Sequence, residues 1–117
     1  MEESANPVLS VVFYLTESGN EPVRDWLKSL SREDRKVIGE DIKTAQFGWP
    51  LGMPLIRKLD ATLWEVRSKL TDGIARTCFT VQNEKMILLH GFIKKSQKIP
   101  QQELKTVKLR LAKLKGK

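Results

Sequence analysis

From residue 54 onward the apolar residues recur at every second position, and this period most constrains the possible fold. Period two is typical of β-strands, whereas the preceding segments show helical spacing. Asp72-Gly73 is the dipeptide of a two-residue hairpin turn. Four strands are predicted in this half of the chain, over residues 55–59, 63–70, 74–81 and 86–93.

The first half of the chain predicts one strand and two helices. Residues 9–15 are rich in β-branched and aromatic side chains and predict a strand. Pro22 lies in the first turn of a predicted helix, where its missing N–H costs nothing. Ser31 and Asp34 resemble a capping box at the start of a second helix, which Gly48 ends. Two helices so close in sequence are expected to form an antiparallel hairpin packed on the sheet.

A last helix is predicted to start at Pro100. Its apolar stripe consists of Leu104, Val107, Leu111 and Leu114. The predicted order is therefore β-α-α-β-β-β-β-α, which indicates an α+β fold with a twisted antiparallel sheet. The 117 residues contain no linker or repeat, so we expect a single domain over residues 1–117.

Positive charge is concentrated at the C-terminal end. Residues 94–117 contain nine lysines and arginines and one acid, Glu103, whereas residues 1–93 contain twelve basic and thirteen acidic residues. A basic segment of this kind can bind nucleic-acid phosphates, and it can equally be a solvated lysine-rich surface. The net charge of +7 favours an acidic partner, either a nucleic acid or a protein that covers the basic surface.

One face of the central hairpin is predicted to be polar. A two-residue turn at Asp72-Gly73 places Lys69 opposite Arg76, with Glu65 and Arg67 on the same face. Like charges opposite each other destabilise a sheet unless something acidic or anionic lies between them. This face is therefore either a phosphate-binding surface or a solvated surface with a glutamate–arginine salt bridge.

The side of the sheet on which His90 lies depends on the loop between the last two strands. A three-residue loop pairs Cys78 with His90 and Arg76 with Phe92, and it places His90 and Lys94 on the Arg76 face. A two-residue loop places both on the other face, because a one-residue slip inverts every side chain. The single histidine of the chain is thus either a candidate general acid or base, or a core residue.

Several classes of protein are disfavoured. The single cysteine, Cys78, lies in an apolar segment, so we expect a buried thiol with no disulfide or zinc site. No glycine-rich phosphate loop or acidic cluster indicates a nucleotide cofactor or a metal. No apolar run approaches the roughly 18 residues of a membrane helix, and the acidic N-terminus is unlike a signal peptide. We expect a cytoplasmic protein with no membrane partner.

A resemblance to a known family rests on residues 20–23, 59–60, Leu63-Trp64-Glu65-Val66-Arg67, Arg76, residues 88–100 and Glu103. Over residues 11–114 the chain resembles the phage-derived HigB-like branch of the RelE toxin superfamily. The resemblance implies a compact ribonuclease fold with its helices on one side of the sheet. It also implies the toxin of a type II toxin–antitoxin pair, which cleaves mRNA, usually on the 70S ribosome. The implied protein partner is a helix-turn-helix antitoxin, which would connect the toxin indirectly to operator DNA.

The resemblance also implies roles for individual residues. Arg76 matches the arginine that contacts the reacting phosphate, and Arg67 matches a basic position on the preceding strand. The chain lacks the C-terminal aromatic residue that some relatives stack on a base. The catalytic candidates are Arg76, Arg67, Glu65, His90 and Lys94. The RNA-binding candidates are Lys69, Lys95, Lys98, Lys58 and Arg57.

These residue types fit a metal-free reaction in which the RNA 2′-hydroxyl attacks the adjacent phosphate. Arginines would stabilise the extra charge of the transition state, and Glu65 or His90 would accept the 2′ proton. Two alternatives remain open. One is a non-catalytic protein that binds nucleic acid or the ribosome, and the other is an interaction subunit whose leucine stripe docks a partner helix.

Overall fold

A computed structural model describes residues 6–95 and 98–116. Residues 96 and 97 of the segment 88–100, and Lys117 of the basic stretch, lie outside the described residues. The elements are β1 (Ser10–Phe13), α1 (Pro22–Lys28), α2 (Arg32–Gly48), β2 (Ile56–Asp60), β3 (Leu63–Leu70), β4 (Gly73–Gln82), β5 (Lys85–Lys94) and α3 (Gln101–Lys115). The predicted α+β class and element order are confirmed.

The five strands form one sheet in the order β1-β5-β4-β3-β2. Three of its pairings are antiparallel, as predicted, and β1 pairs with β5 in parallel. The α1–α2 hairpin carries the chain from the β1 edge across the sheet to the β2 edge. The two edge strands are therefore joined by helices, and the hairpin-connected strands β2 to β5 follow one another in the sheet.

The α1–α2 hairpin covers one face of the sheet. Val23 of α1 and Ile38, Ile42 and Ala45 of α2 pack with Val66, Ala75, Phe79, Met86 and Leu88 of the strands. The side chain of Ser31 accepts a hydrogen bond from the Asp34 N–H at 3.1 Å, which confirms the predicted helix start.

Helix α3 lies on the opposite face, so the expectation that all helices lie on one side is wrong. Val107 is fully buried in a second cluster with Leu63, Cys78 and Phe92. Leu63 and Val66, or Cys78 and Phe79, differ by an odd number of positions along their strands and point to opposite faces. Because both faces carry apolar side chains, both need a helical cover.

The β3–β4 hairpin has a different register from the predicted one. Leu70 pairs with Gly73, so the turn residues are Thr71 and Asp72. Gly73 belongs to the strand, where a Cβ atom would lie 3.1 Å from Cγ2 of Ile93. Arg76 is consequently opposite Arg67, and the predicted pairing of Lys69 with Arg76 is wrong.

A β-bulge in the β4–β5 hairpin resolves the position of His90. Next to the turn, Phe79 pairs with Leu88, which corresponds to a two-residue loop with left-handed φ angles at Asn83 and Glu84. Beyond the bulge, Cys78 pairs with His90. His90 therefore lies on the Arg76 face, as the three-residue alternative predicted, although the loop itself is the shorter one.

Gly91 lies directly under an indole ring of α1. A Cβ atom at this position would lie 2.1 Å from Cε3 of Trp26. We expect Gly91→Ala to lower the free energy of unfolding by about 1–3 kcal/mol, the usual cost of overpacking. Urea denaturation measures the change.

Gly39 provides the matched control for this substitution. It lies inside α2, and nothing lies within 4 Å of a Cβ atom built there. Gly39→Ala is expected to stabilise the fold by about 0.5–1 kcal/mol, because a helical glycine loses more backbone entropy. If Gly91→Ala is as stable as the wild type, Trp26 does not pack against β5 as described.

Candidate active site

Three arginines converge on one carboxylate on the α3 side of the sheet. Oε2 of Glu65 accepts a hydrogen bond from Nη1 of Arg76 at 3.1 Å. Nε of Arg67 lies 3.7 Å from the same oxygen, and Nη1 of Arg57 lies 4.0 Å from it. We call Glu65, Arg57, Arg67 and Arg76 the arginine centre. It joins three cations to one anion, so the group carries a net positive charge.

The sheet register brings these residues together. Glu65 is opposite Arg57 on β2, and Arg67 is opposite Arg76 on β4. Two arginines directly opposite each other repel, and the carboxylate of Glu65 offsets that repulsion. A phosphate group would offset it further, since guanidinium groups bind phosphate through paired hydrogen bonds.

Burial increases from the β2 edge toward the middle of the sheet. The side chain of Arg57 is 38% exposed, that of Arg67 is 10% exposed, and those of Arg76 and Glu65 are fully buried. Arg57, predicted only as an RNA-binding residue, is therefore the outermost member of the arginine centre. Its pairing with Glu65 across the β2–β3 turn is the sequence signal for this role.

Burial raises the pKa of Glu65, and the charges of Arg76, Arg57 and Arg67 partly counteract this effect. Oε1 of Glu65 has no hydrogen-bond partner among the described residues. A carboxyl group with a raised pKa transfers protons nearer neutral pH than an exposed glutamate. Glu65 is thus suited to act as a general base.

His90 is bound on both ring nitrogens by α3. Arg110 donates from Nη1 to Nδ1 of His90 at 3.1 Å and to the carbonyl oxygen of Leu89 at 2.8 Å. Because a guanidinium only donates, Nδ1 accepts, and Nε2–H donates to Oε1 of Glu103 at 2.5 Å. His90 therefore connects β5 to α3, and its nitrogens are engaged by protein groups in this structure.

Strand β4 separates His90 from Glu65, because Cys78 pairs with both residues. Cys78 is fully buried, as expected. Its thiol pKa is raised, first by burial and then by the negative charge of Glu65. The thiol stays protonated near neutral pH and is a poor nucleophile.

The predicted lysines lie around the arginine centre rather than in it. Lys94 is opposite Ile74 on the Arg76 face, and its side chain is exposed, as is that of Lys95. Lys69 lines two adjoining cavities of about 350 and 250 Å³, together with Arg67 and Pro54. Lys69 and Lys95 fit contacts to flanking phosphates better than contacts to the reacting one.

Lys58 and Lys98 are also exposed. Nζ of Lys58 lies 5.9 Å from the ring of Trp64, whose neighbours belong to the α1–α2 face. The structure therefore does not bring Lys58 to the arginine centre. Arg110 was not predicted as a site residue, although its spacing of seven positions from Glu103 places both on the same side of α3.

Two kinds of site are not found in the described part of the chain. Residues 6–95 and 98–116 contain no group of three or more His, Cys, Asp or Glu side chains that could hold a metal ion. Over the same residues, no helix has the length and apolar character needed to cross a membrane.

The α+β fold therefore carries a largely buried cationic site on the α3 side of its sheet. The model of the family described as phage-derived protein Gp49-like (DUF891) matches residues 25–112. The chain belongs to this family, which is one of the RelE/HigB-like toxin families. Its role is therefore of the toxin type. A comparison with curated proteins found no match.

Proposed function

We propose that the protein is the toxin of a type II toxin–antitoxin system, in the phage-derived HigB-like branch, and that it cleaves mRNA without a metal ion. The observation that carries this proposal is the arginine centre, where three guanidinium groups surround a buried carboxylate with a raised pKa. Membership of a RelE/HigB-like toxin family supports the same function.

In the proposed reaction, Glu65 accepts the proton of the 2′-hydroxyl, and the 2′ oxygen forms a bond to phosphorus. The bond to the 5′ oxygen breaks, which leaves a 2′,3′-cyclic phosphate and a free 5′-hydroxyl. Arg67 and Arg76 stabilise the additional negative charge of the pentacoordinate phosphate. The leaving oxygen requires a proton, and Lys94 on the same sheet face is the candidate donor.

The surrounding basic residues would hold the rest of the RNA. Lys69, Lys95 and Lys98 are exposed, and α3 presents exposed lysines at positions 105, 108, 113 and 115. Basic side chains of this kind bind the phosphates of ribosomal RNA as well as those of mRNA, which supports cleavage on the 70S ribosome. Toxins of this kind act in the cytoplasm, where their substrate is located.

The lysines at the end of β5 are expected to contribute affinity through phosphate contacts. Replacing Lys94, Lys95 and Lys98 by Gln should make the slope of log affinity against log salt shallower by about two, since each contact to single-stranded RNA contributes about 0.7. Filter binding of a non-cleavable RNA over a salt series measures the slope. The control replaces the exposed Lys28, Lys36 and Lys85. Equal slopes for the two triple variants would show that the β5 lysines do not bind phosphate.

The proposed protein partner is an antitoxin with a helix-turn-helix domain, which would link the toxin indirectly to operator DNA. The solvent side of α2 and the following loop expose Val37, Phe47, Leu51 and Met53. A cavity of about 650 Å³ beside Phe47 lies on the same side. This apolar surface fits a protein better than RNA, so it supports docking of the antitoxin on the α1–α2 side of the sheet.

The full burial of Arg76 and Glu65 favours one alternative, a non-catalytic protein that binds RNA or the ribosome through the same basic surface. Analysis of RNA ends discriminates between the two functions. The purified protein, added to a translating extract containing a chelator, should produce 2′,3′-cyclic phosphate and 5′-hydroxyl ends. Tight RNA binding without new ends would support the alternative.

A further inference from the structure

A groove runs from the arginine centre around the open edge of β3, and we call it the edge groove. Its first part is a cavity of about 250 Å³ lined by Pro54, Arg67, Lys69 and Ile74. Its second part, of about 350 Å³, shares the first three of these residues and extends to α2. Because Arg67 also belongs to the arginine centre, a ligand in the edge groove lies next to the proposed phosphate site.

The edge groove exists because β2 is shorter than the strand beside it. Ile56, the first residue of β2, is opposite Val66, and the N–H of Arg67 donates to the carbonyl oxygen of Leu55 at 2.8 Å. Strand β3 continues to Leu70, beyond the residues with which β2 pairs. This difference in length leaves a gap between the sheet edge and α2.

The edge groove carries charges of both signs. Arg67 and Lys69 supply two cations, and Asp41 of α2 supplies a half-buried carboxylate in the second part. Within residues 6–95 and 98–116, neither Asp41 nor Lys69 makes an ion pair or a side-chain hydrogen bond with another residue. Opposite charges therefore line one cavity without pairing, and both Asp41 and Lys69 are available to a ligand.

These charges restrict the kind of ligand that fits. A carboxylate accepts hydrogen bonds and repels phosphate, so the ligand must present N–H donors to Asp41. Its anionic part belongs at Arg67 and Lys69. The walls between these charges include Pro54 and Val37, which offer apolar contact. A nucleotide has this arrangement, because it joins an anionic phosphate to a flat base with a polar edge.

Guanine matches the carboxylate of Asp41 better than the other RNA bases do. Single-stranded RNA is commonly read on the Watson–Crick edges of its bases. On this edge guanine presents two adjacent donors, N1–H and N2–H, which can pair with the two carboxylate oxygens. Adenine and cytosine present one amino group each. Uracil presents one N–H between two carbonyl oxygens, which a carboxylate repels.

We propose that the edge groove holds one nucleotide of the RNA and that Asp41 selects its base, with guanine preferred and uracil disfavoured. The proposal rests on the proposed function in that it takes RNA as the ligand. The phosphate of this nucleotide lies at Arg67 and Lys69, its base lies against Pro54, and N1–H and N2–H donate to Asp41. Asp41 thus determines specificity and takes no part in the chemical step.

Binding of single nucleotides tests the base preference without cleavage. The probes are guanosine 3′,5′-bisphosphate and uridine 3′,5′-bisphosphate, which carry a phosphate on each side of the base. The wild type should bind the guanosine compound about 5- to 150-fold more tightly, the usual value of one bidentate contact to a base. NMR titration measures both affinities, and the amide signals of Val37, Asp41 and Ile74 should shift. Equal affinities would overturn the base site and leave Asp41 to a protein interface.

Asp41→Asn should reduce the preference for guanosine over uridine at least fivefold, because the amide keeps the shape of the carboxylate and has only one acceptor oxygen. The matched control is Asp25→Asn, at an exposed position of α1, which packs against β1 and β5. Thermal melting verifies that both variants are folded. An unchanged preference in the Asp41→Asn protein would show that this carboxylate does not read the base.

Lys69→Gln separates phosphate contacts from base contacts in the edge groove. Phosphate contacts carry no information about the base. The variant should therefore bind both bisphosphates more weakly by the same factor, with the guanosine preference retained. Loss of the preference together with the affinity would contradict the proposed placement of the phosphate and the base.

Mapping of RNA ends extends the test to the complete reaction. In the translating extract, the wild type should produce cuts with guanine enriched at one fixed position beside the cleaved bond, and Asp41→Asn should lose this enrichment while still cleaving. Cuts by the wild type without any base enrichment would overturn the role of Asp41. If the wild type produces no cuts, the proposed function fails, and the two bisphosphates still decide whether the edge groove binds guanine.

Discussion

Arg76→Lys is expected to lower the rate of RNA cleavage by about 10²–10³, the usual cost of losing one preorganised donor to a transition-state oxyanion. Lysine keeps the positive charge beside Glu65 and loses the planar pair of N–H donors. Single-turnover cleavage with excess protein measures the chemical step apart from RNA binding. A variant that cleaves at the wild-type rate would remove Arg76 from the mechanism.

Lysine is a sharper test than alanine at this position. Arg76 is one of the largest fully buried side chains and donates to Glu65. Alanine would leave a cavity and a buried carboxylate with one partner fewer, and breaking a buried ion pair costs about 3–5 kcal/mol. Arg35→Lys on the exposed side of α2 is the matched control and should retain full activity.

Glu65→Gln should reduce cleavage by about 10²–10⁴, the contribution of a positioned general base. The amide has nearly the shape of the carboxylate and cannot accept the 2′ proton. Since the base must be ionised to accept a proton, wild-type activity should rise as the pH increases through the raised pKa of Glu65. The variant should lack this rise.

Glu40→Gln, at an exposed position of α2, is the control for this substitution. Thermal melting and urea denaturation of Glu65→Gln show whether three arginines without their carboxylate still hold the fold. A folded Glu65→Gln protein with the same pH profile as the wild type would assign the base to another group. Loss of activity with an unchanged RNA affinity would support its role in the chemical step.

The sequence was enough to predict which charged residues share the Arg76 face of the β3–β4 hairpin. It was not enough to predict the register in which β3 and β4 pair. Alternation along β3, together with a two-residue turn at Asp72-Gly73, placed Glu65, Arg67 and Lys69 on the face of Arg76, and the true register differs from the predicted one by two positions. A shift of two residues keeps every side chain on its face. The set of residues predicted to share this face is therefore correct although the predicted turn is wrong. Only the residue opposite Arg76 differs, because it is Arg67 instead of Lys69.

The position of α3 could not be predicted because its apolar stripe fits either side of the sheet. The side on which α3 packs is determined by Leu63 and Cys78, because the sheet face that carries them is apolar and is buried by a second helical layer. The role of Arg110 depends on the same long-range packing, since its partners lie 20 and 21 positions away in β5. A lone arginine in a basic helix carries no local sign of such a partner.

The bulge between Cys78 and Phe79 has a consequence for how this hairpin can change in evolution. It lets Leu88 face α2 while His90, two positions later, faces α3. Deletion of one residue here would restore a regular ladder and force either the core residues that face α2 or His90, which contacts α3, onto the wrong side of the sheet. Homologous chains are thus expected to vary the turn at Asn83-Glu84 freely, and to keep the number of residues from Met86 to His90 fixed.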